Sequence, residues 1–232
     1  MTAFSKYLNF VSMSAELIRP FEPEELLGGR NWAFFEGKLI FFDEASKQYL
    51  MAEIQEGKQY SFEDYMSLPE GAPFQLIEGE LIFMAAPEIK HQRISRTIVY
   101  AIQTYLLKNN LGELLYSPVD VKLDEKTVVQ PDIVFVSIKR SSIIDRLIHG
   151  APDFVVEILS KGNVATDRKK KMKLYGTFGV TEYWIVNPMQ ENIEVYHNRM
   201  GIMFKTKTLD KTGTIHSKAI EGFSLKVSEI FP

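Results

Sequence analysis

Two apolar runs constrain this chain more than anything else in its sequence. Residues 128–136 read Val-Val-Gln-Pro-Asp-Ile-Val-Phe-Val, and residues 154–159 read Phe-Val-Val-Glu-Ile-Leu. Such near-continuous β-branched runs predict strands covered on both faces, as in the centre of an α/β sheet. Each run holds one carboxylate, Asp132 in the first and Glu157 in the second. A carboxylate buried without compensation is costly, so each acid needs a partner. Strand side chains alternate between faces, which groups Asp132 with Val134 and Val136, and Glu157 with Val155 and Leu159. If the two strands are neighbours, both carboxylates converge on one divalent cation. Hard oxygen donors without a nearby Cys or His pair favour magnesium or manganese over zinc. The plainer alternatives are ion pairs with core Lys or Arg, or strand ends open to water.

The next segment supplies a cation. Residues 167–178 have helical spacing and are closed by Gly179. On the helical wheel Lys171 falls at the centre of the face carrying Leu174, Tyr175 and Phe178, while Lys169, Lys170 and Lys173 point outward. A lysine aimed inward needs a carboxylate partner or a catalytic task. The helix follows the Glu157 strand after a short loop, so Lys171 is expected within direct or one-water reach of Glu157 or Asp132. Two acids with a lysine suit phosphodiester hydrolysis: a metal activates water, and the amine orients it or stabilises developing charge. Glu80, just past the Glu78-Gly79 turn, is a candidate third acid. His91 is a possible accessory group, though a structural histidine fits its position as well.

The remaining pattern places this group in an α/β fold with a central mixed sheet flanked by helices. Ser61 with Asp64 marks a helix start. Residues 74–84 read as two strands hinged at Glu78-Gly79, and 88–109 as a long helix. Residues 114–123 read as one strand, and 193–220 as a peripheral antiparallel meander. Residues 1–58 read as an N-terminal extension for packing or dimerisation, with hairpin character at 32–42 and weak helical character at 45–54. Residues 59–232 form the main domain. With 27 basic and 30 acidic residues the formal net charge is −3, which excludes a uniformly basic nucleic-acid binder but not a local patch such as Arg168, Lys169, Lys170 and Lys173. The absence of cysteine excludes disulfide scaffolds, thiol nucleophiles and Cys-ligated metals. No leader or membrane span is visible, so a cytoplasmic location is expected.

Several segments, in order, carry a resemblance. They are residues 76–81 (Leu-Ile-Glu-Gly-Glu-Leu), Pro87 with His91, 129–132 (Val-Gln-Pro-Asp), 151–160, Asp167 with Lys171 and Tyr175, and 179–188. The chain resembles the Uma-type family of restriction endonucleases in the PD-(D/E)XK nuclease superfamily, from about Tyr60 onward. The resemblance implies the restriction-endonuclease-like fold and a magnesium or manganese site of Glu80, Asp132 and Glu157 with a lysine. It also implies a metal-dependent endonuclease acting on DNA. The superfamily's usual lysine lies two residues after the strand acid, where this chain has Leu159. The family draws it from the following helix instead, which matches Lys171. Gln75 stands where relatives often carry Glu. Tyr175 joins His91 as a possible accessory residue. A homodimer is expected, because a duplex has two strands to cut. The rival readings are a nuclease-fold protein that binds DNA or a partner without cutting, and a hydrolase of small phosphoesters.

Overall fold

The computed structural model describes residues 10–12, 32–35, 38–43, 48–54, 57–160 and 164–231. Its contacts divide the chain into two compact units, one of residues 1–85 with 124–128, the other of 86–123 with 129–232. No helix among the described residues is long and apolar enough to cross a membrane.

In the first unit, β1 (Phe10–Ser12), β2 (Trp32–Phe35), β3 (Lys38–Asp43) and β4 (Gln48–Glu53) form an antiparallel sheet in the order β1-β4-β3-β2. The hairpin expected over 32–42 is present as β2 and β3. Residues 48–53 are a strand rather than a helix. β3 offers this segment a full-length ladder, from Lys38 opposite Glu53 to Asp43 opposite Gln48, and strand pairing overrides a weak local preference. Residues 45–47 lie outside the described residues. The short helix α1 (Phe62–Met66) starts in a capping box: the Ser61 hydroxyl accepts from the Asp64 N–H, and the Asp64 carboxylate accepts from the Ser61 N–H. β5 (Phe74–Ile77) and β6 (Glu80–Phe83) form a hairpin whose turn residues, Glu78 and Gly79, have φ of 51° and 84°. Positive φ at both central positions matches the twist of a two-residue hairpin. A side chain at Gly79 would also strike the Gln59 amide, 2.5 Å from the ideal Cβ position. Leu39 and Phe41 pack with Tyr60, Tyr65, Phe74, Leu76 and Val128, so β3 shares a core with residues beyond position 58.

The second unit is built on a six-stranded mixed sheet. Its strands are β7 (Gly112–Tyr116), β10 (Ile133–Ser137), β12 (Phe154–Ile158), β13 (Glu182–Asn187), β14 (Asn192–Arg199) and β15 (Ile202–Leu209). Their order is β15-β14-β13-β12-β10-β7. Only β12 and β13 run parallel, joined by the helix α3 (Val164–Phe178), and every other pair is antiparallel. The segment expected as a peripheral meander thus extends the main sheet through β14 and β15. It then supplies a small separate hairpin, β16 (Thr214–His216) with β17 (Ser224–Lys226).

Two expected strands are each split by a proline, which gives the ladder no N–H. Residues 114–123 become β7 and β8 (Val121–Asp124) around Pro118. Residues 128–136 become β9 (Thr127–Val129) and β10 around Pro131. The short β11 (Ile148–His149) runs parallel to β8.

Helix α2 (Ile89–Asn109) covers one face of the sheet. Its Ile94, Ile98, Ile102 and Leu106, at helical spacing, pack with Ile133, Phe135, Phe154, Val156, Trp184 and Val186. Asn110, in the left-handed conformation, ends the helix by donating its N–H to the Leu106 carbonyl. α3 lies on the opposite face, with Tyr175 against Tyr183 at 5.0 Å between ring centres. Gly176 lets it come close, since a Cβ there would lie 2.7 Å from the Gly201 carbonyl oxygen. Asn198 donates to the Gly176 carbonyl at 2.7 Å.

A third acid lies in a buried strand. Glu182 is fully buried and accepts from Trp184 Nε1 (2.6 Å), Ser217 Oγ (2.8 Å) and the N–H groups of Lys218 (2.6 Å) and Ala219 (2.7 Å). Its carboxylate pins the segment after β16 to the sheet. Glu182→Ala would strand those buried donors, so a loss of about 3 kcal/mol or more is expected in urea unfolding. Ser217→Ala, which removes one donor, should cost about 1 kcal/mol.

Candidate active site

The register of β10 and β12 brings Asp132 and Glu157 together. Ile133 pairs with Val156 and Val134 with Val155, so the next step sets Asp132 opposite Glu157. Alternation turns Glu157 to the face away from α2, since its neighbour Val156 packs on the α2 side. Asp132 lies one residue before β10, and its side chain takes over from the ladder. Its Oδ2 accepts the Ile158 N–H at 2.7 Å and lies 3.2 Å from His91 Nε2. Both contacts fall on Oδ2, and Oδ1 accepts no hydrogen bond among the described residues.

Glu157 is held from the helix. Lys171 Nζ lies 3.0 Å from its Oε1 and 3.1 Å from its Oε2, and the Tyr175 hydroxyl donates to Oε1 at 2.7 Å. Lys171 is only 7% exposed. One helical turn separates Lys171 from Tyr175, so both reach the same carboxylate. Lys169 and Lys173 are exposed and Lys170 is half-buried. Arg168 belongs to an internal network instead of a solvated basic face, with an ion pair to Glu194 and a hydrogen bond to Tyr196 Oη at 2.9 Å. That network anchors the start of the Lys171 helix.

Burial is the strongest influence on Glu157 and pushes its carboxyl up. The Lys171 charge opposes this, the Asp132 charge adds to it, and the hydrogen bonds from Tyr175 and Lys171 oppose it, leaving Glu157 at about 7. Burial also raises the Tyr175 phenol well above its ordinary value, helped by the Glu157 charge, so it remains a neutral donor. For His91, burial disfavours the imidazolium, but the hydrogen bond and charge of Asp132 outweigh it and raise the pKa. An ionised carboxylate only accepts, so Nε2 carries the proton toward Asp132. His91 Nδ1 is buried and has no hydrogen-bond partner among the described residues.

Beside this group is a hollow of about 200 Å³, lined by His91, Leu159, Ser160, Lys90, Pro188 and Met189, with Glu88. Among the described residues, no three or more His, Asp or Glu side chains are arranged to hold a metal ion. The second unit therefore gathers Asp132, Glu157, Lys171, Tyr175 and His91. Glu80 opens β6 in the first unit, where it is exposed. Gln75 is buried in β5, and its Oε1 has no hydrogen-bond partner among the described residues. Residues 161–163, before α3, lie outside the described residues. Sequence reasoning missed the Ile158 N–H that fixes Asp132. Backbone donors leave no trace in residue types.

Comparison with known proteins fits this arrangement. Residues 62–228 match the model of the Uma2 family, described as "Putative restriction endonuclease", and the chain belongs to that family. Its fold is similar to the crystal structure of "a putative nuclease belonging to DUF820" from Anabaena variabilis. The TM-score is 0.66 at 21% identity, over 74% of this chain and 97% of that one. No curated protein matches the chain.

The raised Glu157 carboxyl has a signed consequence. In metal-free protein the folded state holds a proton on Glu157 up to about 7, whereas the unfolded chain releases it near 4.5. The folded state then binds more protons in that window, so this group's contribution to stability falls as pH rises through it. Glu157→Gln, which cannot ionise, should gain in melting temperature on the wild type between pH 5 and pH 8. A constant difference across that range would contradict the assignment.

Proposed function

We propose that the protein is a divalent-metal-dependent endonuclease that hydrolyses phosphodiester bonds of DNA. The observation that carries this is a buried lysine within 3.0–3.1 Å of both oxygens of Glu157, at the end of a strand pair whose other strand brings in Asp132. Membership of the Uma2 family and the fold shared with a nuclease support the same reading.

The donor set fits magnesium or manganese. Magnesium typically takes one or two carboxylates and fills its remaining positions with water and substrate phosphate oxygens. Asp132 keeps Oδ1 open. The mutual repulsion that helps raise Glu157 would be relieved by a bound cation. Asp132 and Glu157 would hold the metal, which supplies an activated water and polarises the phosphate.

This chain's own groups do the rest. His91 and the Ile158 N–H fix the Asp132 carboxylate through Oδ2. Tyr175 holds one oxygen of Glu157 and thereby fixes the side chain beside Lys171. The Lys171 ammonium sits where it can orient the attacking water or neutralise charge gathering on the phosphorane oxygens. Glu80 would assist, directly or through water, and two copies of the chain would cut the two strands.

Plasmid nicking with and without magnesium or manganese tests the proposal. Wild type should nick only with metal, and Asp132→Ala should be inactive. Equal nicking by both would point to a contaminating nuclease. Lys171→Met keeps the stem and loses the charge, so it should lose about 100-fold or more in rate while remaining folded. Loss of nicking in Glu80→Ala would support the assisting role. A wild type that shifts duplex DNA on a gel but never cuts it would favour the binding-only alternative.

A further inference from the structure

Helix α2 carries a charge pattern that its packing does not explain. The chain has 30 acids in 232 residues, yet the 21 residues of α2 include none. Its charged side chains are Lys90, Arg93, Arg96 and Lys108. Lys90 and Arg93 lie within the first turn and a half, where the helix macrodipole disfavours cations, and the first turn itself holds no acid.

The cations also differ in how they are satisfied. Lys90 donates to the Pro188 carbonyl at 2.7 Å and pairs with Glu191 at 3.6 Å. Elsewhere Arg140 is bound to Asp153, and Arg168 to Glu194. Arg93 and Arg96 are exposed, and neither side chain has a hydrogen-bond or ion-pair partner among the described residues. They project from the outer side of α2, one turn apart, between Ile89 and Tyr100, which are 72% and 74% exposed. With Pro87, Ile89 and Gln92 they line an open hollow. All of them belong to the second unit.

We infer that the outer face of α2 at Arg93 and Arg96, flanked by Gln92 and Tyr100, docks the phosphate backbone of duplex DNA. The inference rests on the endonuclease reading and specifies which surface engages the substrate. Unpaired guanidinium groups match phosphate oxygens in charge and in fork geometry. α2 itself carries no carboxylate that would repel a polyanion, the nearest in sequence being its N-cap Glu88. The placement ties docking to the chemistry. His91, on the inner side of the same turn as Arg93, contacts Asp132 at 3.2 Å. The arginines hold backbone phosphates away from the cleaved bond, so they serve binding and register rather than bond breaking.

The test is fluorescence anisotropy of a labelled duplex with metal-free protein across a salt series, comparing wild type with Arg93→Gln/Arg96→Gln. A second double variant, Lys108→Gln/Lys218→Gln, removes the same charge from exposed positions elsewhere. Circular dichroism verifies folding of each. The arginine variant should bind about tenfold or more weakly and lose about two from its slope of log affinity on log salt. In metal-supported cleavage its KM should rise while kcat stays within about twofold. If wild type binds and cuts DNA but the arginine variant binds as well as wild type, the inference is overturned and the endonuclease reading stands. Equal weakening by the lysine variant also overturns it, since charge anywhere would then suffice. A wild type with no affinity for duplex DNA defeats both.

Discussion

The contact between Lys171 and Glu157 is the interaction that the rest of the second unit serves. Glu157 lies in a strand whose other residues are buried, and removing one partner from a buried pair leaves the other charge exposed to a large penalty. The pair therefore dictates where α3 sits. The helix must approach the sheet closely, which Gly176 allows against the Gly201 carbonyl. Its register must be fixed along the strand, which Arg168 with Glu194 and Tyr196, and Asn198 with the Gly176 carbonyl, accomplish. Tyr175 meets two demands at once, packing its ring on Tyr183 and donating its hydroxyl to Glu157. Little in this helix could move without separating the amine from the carboxylate.

Much of this was legible in the sequence because periodicity and burial are coupled. Alternation grouped Asp132 with Val134 and Val136, and Glu157 with Val155 and Leu159, so that neighbouring strands would bring the acids together, and the helical wheel turned Lys171 inward. The structure has both features. The same rule applied to residues 182–187 would have flagged Glu182, which is more deeply buried than Glu157. Yet Glu182 receives its hydrogen bonds from Trp184, Ser217 and two backbone N–H groups, and it organises the chain locally. An acid in a buried strand signals that compensation exists. Whether the compensating group is a structural donor or a chemical one is visible only in the partner. For Glu157 the partner lysine was itself anomalous in sequence, and for Glu182 the backbone donors were not.

The parts that were not legible share a cause. Strand 48–53 has no strong local preference, and β3 decides its state through long-range pairing. The breaks at Pro118 and Pro131 hide within apolar runs whose composition still reads as strand. The second break has a consequence for the site. It frees Asp132 from the ladder, so its side chain can reach across to the Ile158 N–H. The proline is what turns an embedded strand residue into an oriented carboxylate with one open oxygen.

Net charge is a poor guide to how such a protein meets a polyanion. At −3 the whole chain should repel DNA weakly, and the run of cations on α3 looks like the natural place to overcome that. Arg168, however, is engaged by Glu194, and Lys171 by Glu157, so two of that run's five cations are taken up by the packing of α3. α2 is less basic in sequence, but its first half carries two arginines that no carboxylate neutralises. What a polyanion responds to within a Debye length of about 8–10 Å is local unpaired charge rather than the total. On the proposed reading, that distinction moves the contact from the helix of Lys171 to the helix whose inner side carries His91.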